Sequence, residues 1–314
     1  MMAAPNGDRT VPAISVIIPH LNQQDALRRC LASLDAQDFE GRSVEIIVVD
    51  NGSRDRLDAL IADFGHVRFD VRFDLEPAPG PGLARNRGVA VTTGNVLLFI
   101  DADCRADLGW IRCAVAALSQ NACAAIIGGD VRIDVGDRTR LTAFEAYESV
   151  FAYRQAHYIS KEGFSGTGNL AMTRAIFERV GPFGGIEIAE DRDWGQRARA
   201  MGLATRYCPE MIVYHPARAS FAELCEKWRR HVAHDLAKHR SNGGSASGWT
   251  LRALAMPLSV IPHSLTVLTS KRLAGFVNKL RAIGLLASIR FFRCADMLRQ
   301  AHTPGHGGPT RWNR

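Results

Sequence analysis

The chain has 314 residues, 46% hydrophobic and 23% charged. That is enough apolar content for a real core in one large domain or two smaller ones, which excludes a disordered chain. The formal net charge of +7 is unevenly placed: residues 1–215 hold 23 Lys+Arg against 28 Asp+Glu, and residues 216–314 hold 16 against 4. The first part is therefore at −5 and the last third at +12.

A basic last third predicts an acidic partner surface. It lacks the interleaved aromatics that stack on bases, so no nucleic acid is expected and lipid is favoured. The seven cysteines are an odd number without C-x-x-C spacing. The first dozen residues carry no apolar core segment, so no secretory signal is expected. Reduced thiols and a cytoplasmic location follow as expectations. Residues 1–12 and 301–314 are expected to be disordered tails, on either side of domains at 13–220 and 221–300.

In chain order, Ala13–Ile18 predicts a strand ended by Pro19. Asn22 is a candidate N-cap for a helix with Ala26, Leu27, Cys30, Leu31 and Leu34 on one face. Val44–Val49 predicts a second buried strand, stopped by Asp50-Asn51-Gly52-Ser53. Asp55–Phe64 reads as a helix and Val67–Phe73 as a weaker strand. A Pro/Gly loop, residues 77–82, leads into a helix over Leu83–Val91.

The next strand is an unbroken apolar run, Val96–Ile100, which stops at Asp101-Ala102-Asp103. Positions i and i+2 of an extended chain point the same way. Two like charges so placed repel, and they make chemical sense as oxygen ligands for a hard divalent cation, Mg²⁺ or Mn²⁺. Strands alternating with helices imply right-handed crossovers and a mostly parallel sheet. The polar clusters at 19–22, 50–53 and 101–103 would then share one edge, where α/β sheets bind ligands. Arg85-Asn86-Arg87 near a helix start suits a phosphate-bearing ligand or, equally, a solvated helix face.

Further on, Phe144, Tyr147, Phe151 and Tyr158 form an amphipathic stripe expected to pack on the sheet domain. Residues 163–169 are Gly-rich without a P-loop's lysine or spacing, and read as a flexible wall of a site. Glu190 and Asp191 precede a helix at Trp194–Met201, where they could simply cap it. His215 follows an apolar strand, Met211–Tyr214. Ser241–Gly248 reads as a linker. Beyond it, Leu251–Thr269 and Leu273–Phe292 are apolar but interrupted by Pro257, Pro262, Lys279, Arg281 and Arg290. They are too broken for spanning helices and predict basic amphipathic helices lying on a membrane, or packed on the catalytic domain.

Taken together, I-S-V-I-I-P (14–19), E-I-I-V-V-D-N-G-S-R-D (45–55), G-L-A-R-N-R-G (82–88), G-N-V-L-L-F-I-D-A-D (94–103), G-T-G-N-L-A-M (166–172), A-E-D-R-D-W (189–194) and V-Y-H-P (213–216) resemble glycosyltransferase family 2. The resemblance spans residues 13–220. It implies a GT-A fold with a C-terminal helical extension, a nucleoside-diphosphate sugar donor and inversion at the anomeric carbon. It places Pro19, Asp50 and Asn51 at the nucleoside, Arg85 near the nucleotide, and Asp101 and Asp103 as the D-x-D pair. Asp103 would be the more direct metal ligand and His215 would complete the metal or diphosphate site. Family members often carry two acidic residues where this chain has Asp50-Asn51, which bears on base selectivity. Asp191, beside Glu190, matches the catalytic base.

The chemistry agrees with those positions. Breaking a sugar–phosphate bond puts negative charge on the leaving diphosphate, which a cation neutralises. The acceptor hydroxyl loses a proton, which a carboxylate can take. The acceptor is expected to be a polysaccharide, glycolipid or lipid-linked intermediate. Two other readings are a nucleotidyltransferase and a non-catalytic nucleotide-sugar binder. The first would want a Gly-rich basic loop after the first strand, and the second would be expected to have lost Asp101, Asp103 or Asp191.

Overall fold

The computed structural model describes residues 13–55, 57, 70–120 and 126–302. The expected helix at 55–64, and the start of the strand expected from Val67, lie outside the described residues. The chain divides into two compact units. One is built from Met1–Arg132 and Tyr153–His215, the other from Ile133–Ala152 and Pro216–Arg314.

The first unit carries most of an eight-stranded mixed sheet. Its strands are β1 (Ile14–His20), β2 (Val44–Asp50), β3 (Asp70–Leu75), β4 (Val96–Ile100), β5 (Arg105–Ala106), β6 (Ile126–Asp134), β7 (Asn169–Thr173) and β8 (Thr205–Pro216), in the order β3-β2-β1-β4-β7-β6-β8-β5. β3, β2, β1 and β4 are parallel, as the alternating pattern predicts, and β7 then runs antiparallel to β4. This is the GT-A arrangement expected from the sequence.

β1 runs through Pro19 to His20 rather than ending at the proline. Its pairing with β4 stops at Ile17–Phe99, so no ladder partner on that side needs the missing N–H. The β-branched runs are buried on both faces because helices cover both. Val16 and Ile18 enter one core cluster with Leu27, Leu31 and Trp110, and Ile17 enters the other with Val89 and Phe99. That split is the alternation of side chains along a strand.

Helix α1 (Gln24–Asp35) buries Leu27, Cys30, Leu31 and Leu34, and α2 (Pro81–Val91) starts with proline in its first turn. Gly88 is required where α2 crosses β1, because a Cβ there would stand 2.5 Å from Ile17 Cγ2. Helices α3 (Trp110–Ser119), α4 (Ala143–Phe151), α5 (Arg174–Val180) and α6 (Glu190–Ala200) follow in chain order.

The second unit is helical. Thr142 and Glu145 form a capping box at the start of α4. Its remaining helices are α7 (Phe221–Ser241), α8 (Ala246–Ala255), a 3₁₀ turn at Pro257–Ser259, α9 (Val260–Thr269) and α10 (Phe276–His302). Tyr147 and Phe151 cluster with Leu285, Leu286 and Ile289 of α10, not with the sheet as expected. Their partner is another amphipathic helix, which periodicity in one helix cannot name. Asn278 is buried and ties α10 to the Arg138 and Thr139 carbonyls and the Leu141 N–H. The expected linker shrinks to a turn, because Ser245 accepts from the Gly248 N–H and starts α8.

Among the described residues, no single helix is long and apolar enough to cross a membrane. Together, α8 and the stretch Pro257–Thr269 reach that length and composition, with a 40° bend between them. Leu251, Leu254, Leu258, Ile261, Leu265 and Leu268 all stand exposed along this bent pair. Their spacing of three and four residues makes them one continuous ridge.

Candidate active site

The carboxyl ends of β1, β2 and β4 meet on one edge of the sheet. The register pairs His20 with Asp50, while Ile17 faces Phe99, which puts the end of β4 beside Pro19 and His20. The three polar clusters of the sequence therefore do share an edge.

Asp50 is held rather than loose. His20 is 1% exposed, and its Nδ1 lies 3.0 Å from Asp50 Oδ1. The Gln23 N–H donates to His20 Nε2 at 3.1 Å, which leaves Nδ1 to carry the proton toward Asp50. The Ser53 hydroxyl donates to the same carboxylate. Asn51 has a different task. Its amide donates to the Glu76 and Ala78 carbonyls at 2.9 and 2.7 Å and accepts from the Gly80 N–H at 2.7 Å. The side chain thus builds the Pro/Gly loop leading to α2. Asn22 does not cap α1: it sits at φ 55 and accepts from the Arg54 N–H, tying the end of β1 to the loop after β2.

Arg85 joins two halves of the edge. It is 3% exposed. Its Nη2 donates to Asp101 Oδ1 at 2.6 Å and its Nη1 to Glu190 Oε1 at 3.1 Å. Burial would lower its basicity, but the fields of Asp101, Glu190 and Asp191 outweigh that and raise it. Arg87 points elsewhere, into an exposed pair with Asp74 at 2.7 Å. Asn86 exchanges two hydrogen bonds with the Phe183 backbone, pinning the loop that precedes Glu190.

Glu190 and Asp191 are the first two residues of α6, one turn earlier than expected, with Ala189 at the N-cap position. Neither occupies the cap itself, and both gain from the helix dipole. Asp191 Oδ1 accepts from the Arg192 N–H at 2.7 Å. Burial and then the neighbouring Glu190 push its carboxyl up to about 6. An acid lifted that far suits proton transfer near neutral pH.

Asp103 and His215 meet at 3.3 Å. Burial would raise the Asp103 carboxyl, but the His215 contact outweighs it and holds the group below its ordinary value. The Tyr153 hydroxyl lies 2.8 Å from His215 Nε2, and Gln23 Nε2 lies 3.4 Å from Asp103. Tyr153 has φ 49, a conformation rare for an aromatic residue.

The wall at 163–169 is tied down. Asn169 is fully buried, accepts from Trp110 Nε1, and donates to the Asp130 and Met211 carbonyls, each at 2.8 Å. Gly168 must be glycine, because a Cβ there would stand 2.5 Å from Asp101 Oδ2. Trp194 is 1% exposed and donates to the Gly181 carbonyl, so it belongs to the core and not to a sugar-stacking surface.

Asp101, Asp103 and His215 suit a hard divalent cation as a donor set. Among the described residues, no three His, Cys, Asp or Glu side chains are arranged to hold a metal by themselves. A Mg²⁺ ion commonly takes one or two carboxylates from a protein and its other oxygens from substrate phosphates and water. Arg85 occupies Asp101 Oδ1, and the Gly168 backbone packs closely against Oδ2.

Sequence reasoning missed His20, Tyr153 and Gly168. His20 stood inside a polar cluster already noted, and a histidine at a strand end four residues before a helix start was the available signal. Tyr153 approaches His215 from 62 positions away, which no local pattern reveals.

Comparison with solved structures shows the class. The mannosyltransferase PcManGT from Pyrobaculum calidifontis, in complex with GDP-Man and Mn²⁺, superposes with a TM-score of 0.62 at 16% identity, over 95% of this chain and 89% of that one. S. aureus TarS 1–349 in complex with UDP-GlcNAc gives 0.53 at 17% identity, over 93% of each. The fold is that of the GT-A glycosyltransferases.

The glycosyl transferase family 2 model matches residues 15–181. Glycosyltransferase AglE of Haloferax volcanii is 31% identical over 220 residues, covering 69% of this chain and 71% of its own. The probable glycosyltransferase YdaM of Bacillus subtilis is 25% identical over 66% of this chain, which spans only 51% of that relative. The chain belongs to glycosyl transferase family 2 and is a glycosyltransferase.

Proposed function

We propose that this enzyme moves a sugar from a nucleoside-diphosphate donor to a hydroxyl acceptor with inversion, in one displacement. The observation that carries the reading is the Arg85 bridge, which sets Asp101 and the Glu190-Asp191 pair on either side of one guanidinium. Asp101 faces the diphosphate, and Asp191 faces the acceptor.

Pro19 and Asp50 line the nucleoside pocket, with His20 and Ser53 orienting the Asp50 carboxylate. Asn51 supports that pocket from behind by holding the 76–80 loop. Asp191 takes the proton from the acceptor hydroxyl as its oxygen bonds to the anomeric carbon, and the carbon–phosphate oxygen bond breaks with its electrons leaving on the diphosphate. The proton on Asp191 is then lost to water. Asp103 and Asp101 would hold a divalent cation, Mg²⁺ or Mn²⁺, with His215 beside Asp103. When bound, that cation supplies charge neutralisation for the leaving diphosphate.

The exposed ridge of the second unit and the +12 charge of residues 216–314 support peripheral attachment to the cytoplasmic face of an anionic membrane. A polysaccharide, glycolipid or lipid-linked acceptor fits such a location.

The deciding experiment is a panel of nucleotide sugars with Mn²⁺, including GDP-mannose and UDP-N-acetylglucosamine, scored for release of nucleoside diphosphate. Turnover of at least one donor, abolished by Asp191→Asn, is expected. Donor binding without turnover on any acceptor would replace this reading with a non-catalytic binder. Release of pyrophosphate from nucleoside triphosphates would replace it with a nucleotidyltransferase.

A further inference from the structure

One cluster of cations in the second unit has few acids beside it. Glu148 is 1% exposed and accepts from the Arg218 N–H at 2.8 Å, pairs with the Arg218 guanidinium, and lies 3.7 Å from Lys227 Nζ. One carboxylate thus serves two cations. On α10, Arg290 and Arg293 are three residues apart and share a face. Neither makes an ion pair among the described residues. Arg293 is 8% exposed and its guanidinium stacks 4.1 Å from the Trp228 ring centroid. The Arg290 Nη1 reaches only the thioether of Met256, at 3.3 Å.

Two guanidinium donors here are buried without a partner, Nε of Arg290 and Nε of Arg293, while the Trp228 N–H faces the Tyr147 hydroxyl. Unmet buried donors and crowded cations both cost stability. The crowding shows in Lys227, lowered to about 8 by burial and the nearby Arg218, and in Arg293, lowered to about 10 by burial and Arg290. Asp235 also bears on Arg293 but lies 3.3 Å from Arg252. A structural core would not be built this way, whereas planar guanidiniums, an ammonium and an indole N–H are a phosphate-binding donor set.

Position identifies the source of the phosphate. Met256, under Arg290, lies between the exposed Leu254 and Leu258 of the apolar ridge. We propose that Arg290, Arg293, Trp228 and Lys227 bind the phosphate of an anionic phospholipid headgroup whose hydrocarbon lies along that ridge. The proposal rests on the membrane reading above and adds a headgroup site to it.

The test uses the full chain and its thermal midpoint. Dihexanoylphosphatidic acid, a soluble lipid phosphate, should raise Tm by about 3–6 °C near saturation. Dihexanoylphosphatidylcholine should act weakly, and inorganic phosphate at the same concentration should not reproduce the gain. In Arg290→Met/Arg293→Met the gain should vanish, while the Tm without lipid stays level or rises, because unpaired buried cations have been removed. Trp228→Phe keeps the ring, loses the N–H and should halve the gain or more. An equal gain in the double variant, or a double variant that melts far below the wild type, overturns the proposal. So does a full gain from inorganic phosphate, which would assign the cluster to free phosphate. Vesicle binding without headgroup preference, unchanged by the double variant, would leave the membrane reading standing and remove this site.

Discussion

Arg85 and Asp101 are joined at 2.6 Å, and the same guanidinium holds Glu190 at 3.1 Å. The residues come from α2, the end of β4 and the start of α6, so one side chain fixes the spacing of three elements. Arg85→Lys keeps the charge but offers a single ammonium in place of a fork. It can hold one carboxylate and not both. The expected result is a folded enzyme with turnover reduced on the order of 10²-fold, since misplacement of about 1 Å costs that much. Steady-state kinetics with circular dichroism will decide; near-normal turnover would show that the bridge is dispensable.

In the proposed mechanism Asp191, as the base, sets the pH profile. Its carboxyl titrates near 6, and the base must be ionised to act. Turnover should therefore rise with pH, with a slope of one below about 6 and a plateau above it. Asp191→Asn should lose on the order of 10²–10⁴-fold in rate with little change in nucleotide binding. Glu190→Gln is the control, and its loss of turnover with Asp191→Asn active would exchange the two roles.

The same group makes a stability prediction of opposite sign. A carboxyl raised in the folded state binds its proton more tightly there than in the unfolded chain. Its stabilising contribution is present below the unfolded value near 4 and is lost as pH rises through about 6. Asp191→Asn should thus melt higher than the wild type at pH 7, by roughly 2–4 °C for about 1 kcal/mol, and show little difference at pH 4. A lower melting point at pH 7 would mark Asp191 as a structural residue.

The edge of the sheet was legible from sequence because its strands are unbroken apolar runs that stop abruptly at polar residues. Val96–Ile100 and Asp101 need no tertiary information to be read that way. Parallel pairing then follows from the alternation with helices. What escaped is whatever depends on a side chain choosing between partners. Asn51 reads as a pocket residue, and its part in building the loop behind was not legible, because three backbone groups of residues 76–80 come within its reach. Trp194 reads equally as a residue that stacks on a sugar or as a core residue, and only its packing on Phe183 decides for the core. The helical stripe at 144–151 named an apolar face and not what covers it.

Activity should require a divalent cation. In the proposed mechanism Asp101 and Asp103 flank the diphosphate, and three sets of negative charge repel without a cation between them. Asp103 is held ionised by His215 and is ready to coordinate. Excess chelator should abolish transfer, and Mn²⁺ or Mg²⁺ should restore it. Asp103→Ala should abolish transfer at any cation concentration and leave the melting curve near that of the wild type. Full activity in chelator would refute the cation requirement.

The last prediction concerns the ridge. Leu258 is 69% exposed and Ile261 is 71% exposed, and they lie on one face at i and i+3. Exposed apolar side chains contribute nothing to the core, so charging them should not disturb the fold. On a membrane the same change puts two carboxylates into acyl chains and against an anionic surface, both unfavourable. Leu258→Glu/Ile261→Glu should keep the wild-type melting point and its activity on a soluble acceptor. Its partition onto vesicles containing anionic phospholipid should fall at least tenfold. Arg252, Lys271, Arg272 and Lys279 lie within or shortly after the ridge in sequence, so wild-type binding should also weaken as salt rises. Equal sedimentation of the double variant and the wild type with such vesicles would mean that the ridge faces something other than lipid.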